Sequence, residues 1–167
     1  GHSDFVVLIS HDEQPNQLGE NFAPDEADCP GRVNDQGGAY IFLGGPEKFD
    51  FQPDFVFWGT GAGDAPEIIS GGHDFNGDGL ADFVIGNHRR DVAAGGDGGA
   101  AMIVTGRADP TPAQISVICQ PFAEISGPLN RYNLGYSAAM MADINNDGCD
   151  EVVVGVRLDE TNGLRNQ

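Results

Sequence analysis

Short apolar runs, bounded by glycine, proline and acidic residues, set the rhythm of this chain. They fall near 4–10, 38–44, 54–58, 66–72, 82–86, 99–105, 114–119, 136–142 and 150–156. Each alternates with period two or runs continuously apolar, and several are β-branched or aromatic, as in Phe55-Val56-Phe57-Trp58 and Val152-Val153-Val154. That pattern predicts strands. No stretch combines a helical period with capping residues, so the chain is read as all-β. Segment 11–37, rich in Asp, Glu, Asn and Pro, is predicted to be a long surface loop inserted between strands. Segments 87–97 and 107–113 are predicted to be shorter loops of the same kind.

The runs recur as a unit. Gly37-Gly38-Ala39-Tyr40-Ile41-Phe42-Leu43-Gly44 resembles Gly98-Gly99-Ala100-Ala101-Met102-Ile103-Val104-Thr105-Gly106. A closer repeat joins Asp74-Phe75-Asn76-Gly77-Asp78-Gly79-Leu80-Ala81-Asp82 to Asp143-Ile144-Asn145-Asn146-Asp147-Gly148-Cys149-Asp150-Glu151, and each leads into an apolar run ending in glycine. A period of about 60–70 residues with four short strands per unit is propeller-like, somewhat longer than the WD40 one.

The acidic stretches have the spacing of calcium loops. Calcium takes six to eight hard oxygens at about 2.3–2.6 Å, and alternate positions of a tight loop bring oxygens to one point. In the first loop the expected ligands are the side chains of Asp74, Asn76, Asp78 and Asp82 with the carbonyl of Leu80; Gly79 supplies the sharp turn. In the second they are Asp143, Asn145, Asp147, the carbonyl of Cys149, and Glu151. Glu151 is one methylene longer than Asp82, so the second site is expected to be looser or water-bridged. An EF-hand also begins this way, but it needs a bidentate Glu at position twelve and flanking helices. Here position twelve is Ile85 or Val154, and strands follow. The competing reading is an acidic Asx-turn hairpin that binds nothing.

The run from Leu134-Gly135-Tyr136 through the second acidic loop to Val152-Val153-Val154-Gly155 resembles an FG-GAP repeat, the blade of integrin α-subunit propellers and of many bacterial surface proteins. Leu134-Gly135 stands for the Phe-Gly of that motif; Gly155-Val156-Arg157 and Gly86-Asn87-His88 stand for its Gly-Ala-Pro. The resemblance implies β-propeller-like blades of four antiparallel strands, calcium in inter-strand loops, an extracellular or cell-surface location, and adhesion or scaffolding. Gly1 to Val7 aligns with Gly79 to Ile85, and Gly155 to Gln167 with Gly86 to Gly98. The chain is therefore expected to be a piece, about two and a quarter blades, of a longer propeller.

Composition narrows the function classes. The formal net charge of −18 disfavours nucleic acid as a partner, since phosphate binding needs a basic surface. No apolar stretch approaches the roughly 20 residues of a membrane span. Three cysteines are too few for a disulfide scaffold and match no zinc spacing. One bridge among Cys29, Cys119 and Cys149, or three free thiols, are both open. No Gly-x-Ser-x-Gly elbow or phosphate-binding glycine loop is present. His73 beside Asp74 is read as a packing or surface residue, His88-Arg89-Arg90-Asp91 as an ion-paired loop, and Tyr136 as packed. The expected function is a non-enzymatic, calcium-stabilised adhesion or structural module whose partner is a protein or glycan at the cell surface, or further copies of itself. A propeller attached to a secreted carbohydrate-active enzyme or lectin, and a subunit of an extracellular filament, are the alternatives.

Overall fold

The computed structural model describes residues 5–9, 22–24, 37–44, 53–58, 66–92, 96–106, 115–118, 121–128 and 131–157. The described elements are all strands: β1 (Phe5–Ile9), β2 (Phe22–Pro24), β3 (Gly38–Phe42), β4 (Phe55–Trp58), β5 (Ile68–His73), β6 (Asp82–Asn87), β7 (Ala100–Val104), β8 (Ile115–Ile118), β9 (Ala123–Ser126), β10 (Leu134–Met141) and β11 (Glu151–Val156). The all-β reading is the observed class, and each predicted run carries a strand. Two strands were not predicted. β2 lies inside segment 11–37, which apart from β2 and Gly37 is outside the described residues, and β9 follows Pro121-Phe122, where the sequence offers only a four-residue run.

The strands form three sheets. Strands β5-β6-β7-β9, in that order, make a four-stranded sheet paired antiparallel throughout. β10 and β11 form an antiparallel hairpin. The remaining sheet has the order β1-β3-β4-β8-β2, and there the expected antiparallel pattern fails: β8 runs parallel to both β4 and β2. The chain thus leaves the four-stranded sheet after β7, adds β8 to its neighbour, and returns as β9. Run 114–119 is not the fourth strand beside β7; Ala123–Ser126 takes that edge, with Met102 opposite Glu124.

Side-chain alternation explains the stacking. Phe83 and Ile85 of β6, with Met102 and Val104 of β7, point to one face and pack with Ala39, Ile41, Phe55 and Phe57 of the five-stranded sheet. Val84, Ala101 and Ile103 point to the other face and meet Leu134 and Met140 of β10, flanked by Ala138, Val152 and Val154. The four-stranded sheet is the middle layer. Both of its faces are covered, which is why Asp82 to Asn87 is buried at every position and reads as a continuous rather than alternating run. The hairpin is covered on one face only: Met140 is buried and Val153 exposed.

Both acidic loops lie at one end of the stack. Segment 74–81 joins β5 to β6, and segment 142–150 joins β10 to β11. At the opposite end β6 runs out at Asn87 and β11 at Val156.

Candidate metal centre

The two loops share a core of equivalent bonds, though Asp78 N also donates to Asn76 Oδ1 in the first and Asn146 N to Asp143 Oδ1 in the second. The position-one aspartate clamps two backbone amides: Asp74 Oδ1 accepts from Asp78 N at 3.0 Å and Oδ2 from Gly79 N at 2.7 Å. Asp143 Oδ1 accepts from Asp147 N at 3.2 Å and Oδ2 from Gly148 N at 2.9 Å. Oδ1 of Asp78 receives Leu80 N at 2.8 Å, as Oδ1 of Asp147 receives Cys149 N at 2.9 Å. The asparagine amide nitrogen donates to the position-five carboxylate in both, Asn76 to Asp78 at 2.8 Å and Asn145 to Asp147 at 3.0 Å. The backbone repeats too. Position four is left-handed in each, with φ of 75° at Gly77 and 61° at Asn146, and so is position six, with 86° at Gly79 and 94° at Gly148. Asparagine tolerates that region better than other residues bearing a Cβ, so Asn146 can replace Gly77.

The ninth position separates the loops. Asp82 is 1 % exposed. Its Oδ2 accepts from Phe75 N at 2.9 Å and Asn76 N at 3.3 Å, and its Oδ1 from Gly106 N at 2.7 Å. Burial raises its pKa, while those three amides, Gly106 foremost, pull it back down. The carboxylate is a clasp between the loop and the end of β7. Glu151 keeps the equivalent bond, Ile144 N to Oε2 at 2.7 Å, but its extra methylene leaves Oε1 facing the loop interior, where Asn145 Nδ2 donates at 2.9 Å.

Consequently the second loop, expected to be the looser, is where carboxylates gather. Asp143, Asp147 and Glu151 each offer an oxygen, and the three lie within 4.8 Å of one another. Oxygens at about 2.4 Å from a common calcium lie no farther apart than that. Asp74, Asp78 and Asp82 do not form such a group, and Asp82 spends one oxygen on Gly106 N. Asn145 Nδ2 bridges Asp147 and Glu151, placing an amide donor between two carboxylates. Rotating that amide by half a turn would present Oδ1 instead. The donor set is all oxygen once Cys149 contributes its carbonyl rather than its thiol. That thiol is free, and burial together with Asp147 and other nearby carboxylates raises its pKa. Cys29 and Cys119 lie outside the described residues.

Sequence reasoning passed over Asp150, which lies between two expected ligands. Its Oδ1 accepts Asp143 N at 2.8 Å, and its Oδ2 accepts Asp74 N at 3.0 Å and lies 3.0 Å from His73 Nδ1. The available signal was a carboxylate at position eight, where the first loop has Ala81. His73 is therefore committed to Asp150. At the other end of the stack the His88-Arg89-Arg90 segment is ion-paired as expected, Arg90 with Glu124 at 3.0 Å and Arg89 with Glu67 at 3.5 Å, and His88 Nδ1 lies 2.9 Å from the same Glu67. Tyr136 was expected to be packed and is instead 43 % exposed, with the Arg157 guanidinium 5.1 Å from its ring centroid and the His88 ring edge-on to it. Its strand bends there: the register shifts between Leu134 and Ser137, which carries Tyr136 off the packed face.

A search of curated proteins found no match to the chain. Residues 65–103, which hold β5, the first acidic loop, β6 and the start of β7, match the family model described as FG-GAP repeat. The stretch in the middle layer is thus similar to an FG-GAP repeat.

Proposed function

We propose that this chain is a calcium-stabilised binding module, built of FG-GAP-like blades, in which the metal rigidifies the loops and takes no part in a reaction. One observation carries the reading: the carboxylates of Asp143, Asp147 and Glu151 converge within 4.8 Å in a loop whose bonding is repeated at 74–82. In the second loop the ion would be held by Asp143, Asn145, Asp147, the Cys149 carbonyl and Glu151. In the first it would be held by Asp74, Asn76, Asp78, the Leu80 carbonyl and Asp82, more weakly, because Asp82 must give up a bond to backbone. Calcium supplies positive charge among crowded carboxylates. The chain supplies the shape, since Asp143 is already fixed by three amides of its own loop. We assign it to the extracellular or cell-surface setting usual for such repeats. Its partner would be a protein or glycan there, or another copy, bound without catalysis.

Calorimetric titration of chelator-stripped protein with calcium tests this. Two heats are expected, with Asp147→Ala removing the tighter. At a hundredfold excess over Kd, each site adds roughly 2.7 kcal/mol to stability. No heat together with an unchanged Tm overturns the calcium reading.

A further inference from the structure

We infer that Asp150 is a positioning residue that ties the two acidic loops into one unit, so that ordering loop 143–151 also orders loop 74–82. Where the ordering agent is calcium, the inference rests on the function proposed above.

Asp150 stands between the Cys149 carbonyl and Glu151, both expected on the ion. Its carboxylate holds the backbone amides of both position-one aspartates, Asp143 through Oδ1 and Asp74 through Oδ2. Its own amide donates to the Asp74 carbonyl at 2.9 Å, so Asp74 is gripped at both N and O. The loops touch at a second point: a Cβ on Gly77 would lie 3.5 Å from Cys149 Sγ and from the Gly148 carbonyl oxygen. His73 closes the arrangement on Oδ2, with the side chains of His73 and Asp150 31 % and 23 % exposed. Fixing residues 149 and 151 on a cation therefore fixes the group that holds Asp74. Asp74 in turn orients Asp78 N and Gly79 N. The link is one-sided, since Ala81 occupies position eight of the first loop and has no carboxylate. Two bound cations would repel, but the Asp150 charge lies between the position-one aspartates and offsets part of that repulsion.

Amide hydrogen exchange on the 167-residue chain tests the inference in two arms. In the metal-free arm, Asp150→Asn keeps the shape but turns an amide donor toward a backbone N–H. Exchange at Asp74 and Asp143 should rise about tenfold, the loss expected for a bond to a charged acceptor, with Val84 and Ile103 unchanged. In the same arm Asp147→Ala should speed Asp74, and should no longer do so once Asp150 is Asn. In the calcium arm, Asp78→Ala disables the first loop as a site. Calcium should still slow exchange at Asp74 and Gly79 at least threefold, and Asp150→Asn should abolish that response. Calcium that slows Gly148 but leaves Asp74 and Gly79 indifferent overturns the coupling. If no amide responds to calcium, the calcium reading falls, and the metal-free arm alone decides the coupling: an Asp74 amide indifferent to Asp147→Ala overturns it. Should Asp150→Asn lose protection at Val84, the Asp78→Ala calcium response decides without it.

Discussion

A Cβ placed on Gly86 would lie 2.4 Å from the carbonyl oxygen of Gly135. Gly86 is in β6 of the middle sheet and Gly135 in β10 of the hairpin, so the two layers meet here with no side chain between them. These are the glycines that the sequence placed in the Gly-Ala-Pro and Phe-Gly halves of the repeat. Backbone cannot move aside as the end of a side chain can.

Gly86→Ala should therefore push the hairpin off the middle sheet. Overpacking of this kind costs about 1–3 kcal/mol. Thermal unfolding should show a lowered Tm, and exchange should rise at Met140 before it rises at Met102. An unchanged Tm would mean that the layers shift freely past one another.

Asp82→Ala removes the acceptor for Gly106 N, Phe75 N and Asn76 N at a buried position. Leaving such donors unpaired costs about 1–3 kcal/mol each, less than additively. We expect roughly 2–4 kcal/mol lost in urea titrations, with or without calcium. A loss seen only in calcium would leave Asp82 a ligand alone and refute its role as a clasp.

Asn145→Asp replaces the amide that bridges Asp147 and Glu151 with a further carboxylate. The effect should change sign with the metal: a lower Tm in chelator and tighter binding in calcium. Paired thermal scans with a calcium titration would read both. The same direction of change in both conditions would refute the placement of the ion.

Acid should unfold the metal-free protein through two carboxylates. Asp143 is held below its ordinary value of 3.8 chiefly by Gly148 N–H, and Asp150 below the same value chiefly by Asp74 N–H. A depressed folded-state pKa gives stability that is whole above the unfolded value and is lost as pH falls through the folded one. Asp82, raised mainly by burial, works in the opposite sense and recovers some stability on protonation. Through Asp143 and Asp150, stability should fall as pH drops below about 4. Asp150→Asn should make that fall shallower, which urea midpoints across the acid range would report.

The strands and the repeat were legible because both rest on local pattern. Phe83-Val84-Ile85 declares a strand covered on both faces, and Asp74 with Asp143 opens two loops of one geometry. What escaped depends on contacts distant in sequence. β8 pairs with β4 by joining Ser116 to Phe55, and no period in the sequence marks that partner. The ninth position differs between the loops for a similar reason. Asp82 looks the better ligand by type, but Gly106, reached only through the fold, claims one of its oxygens. Glu151 looks the poorer, yet its length lets one oxygen serve the backbone and the other face the loop.

The excursion of the chain through β8 has a consequence for how the molecule comes apart. Because the chain passes from β7 to β8 and back to β9, it stitches the five-stranded and four-stranded sheets together. Neither can be peeled away without pulling a strand out of the other. The hairpin β10–β11 has no such stitch and is held by Leu134, Met140, their apolar neighbours and a few bonds such as Met140 N to Ser70 Oγ. Under gentle denaturation it is the unit free to open by itself, which makes the second acidic loop, and through Asp150 the first, the earliest reporter of unfolding.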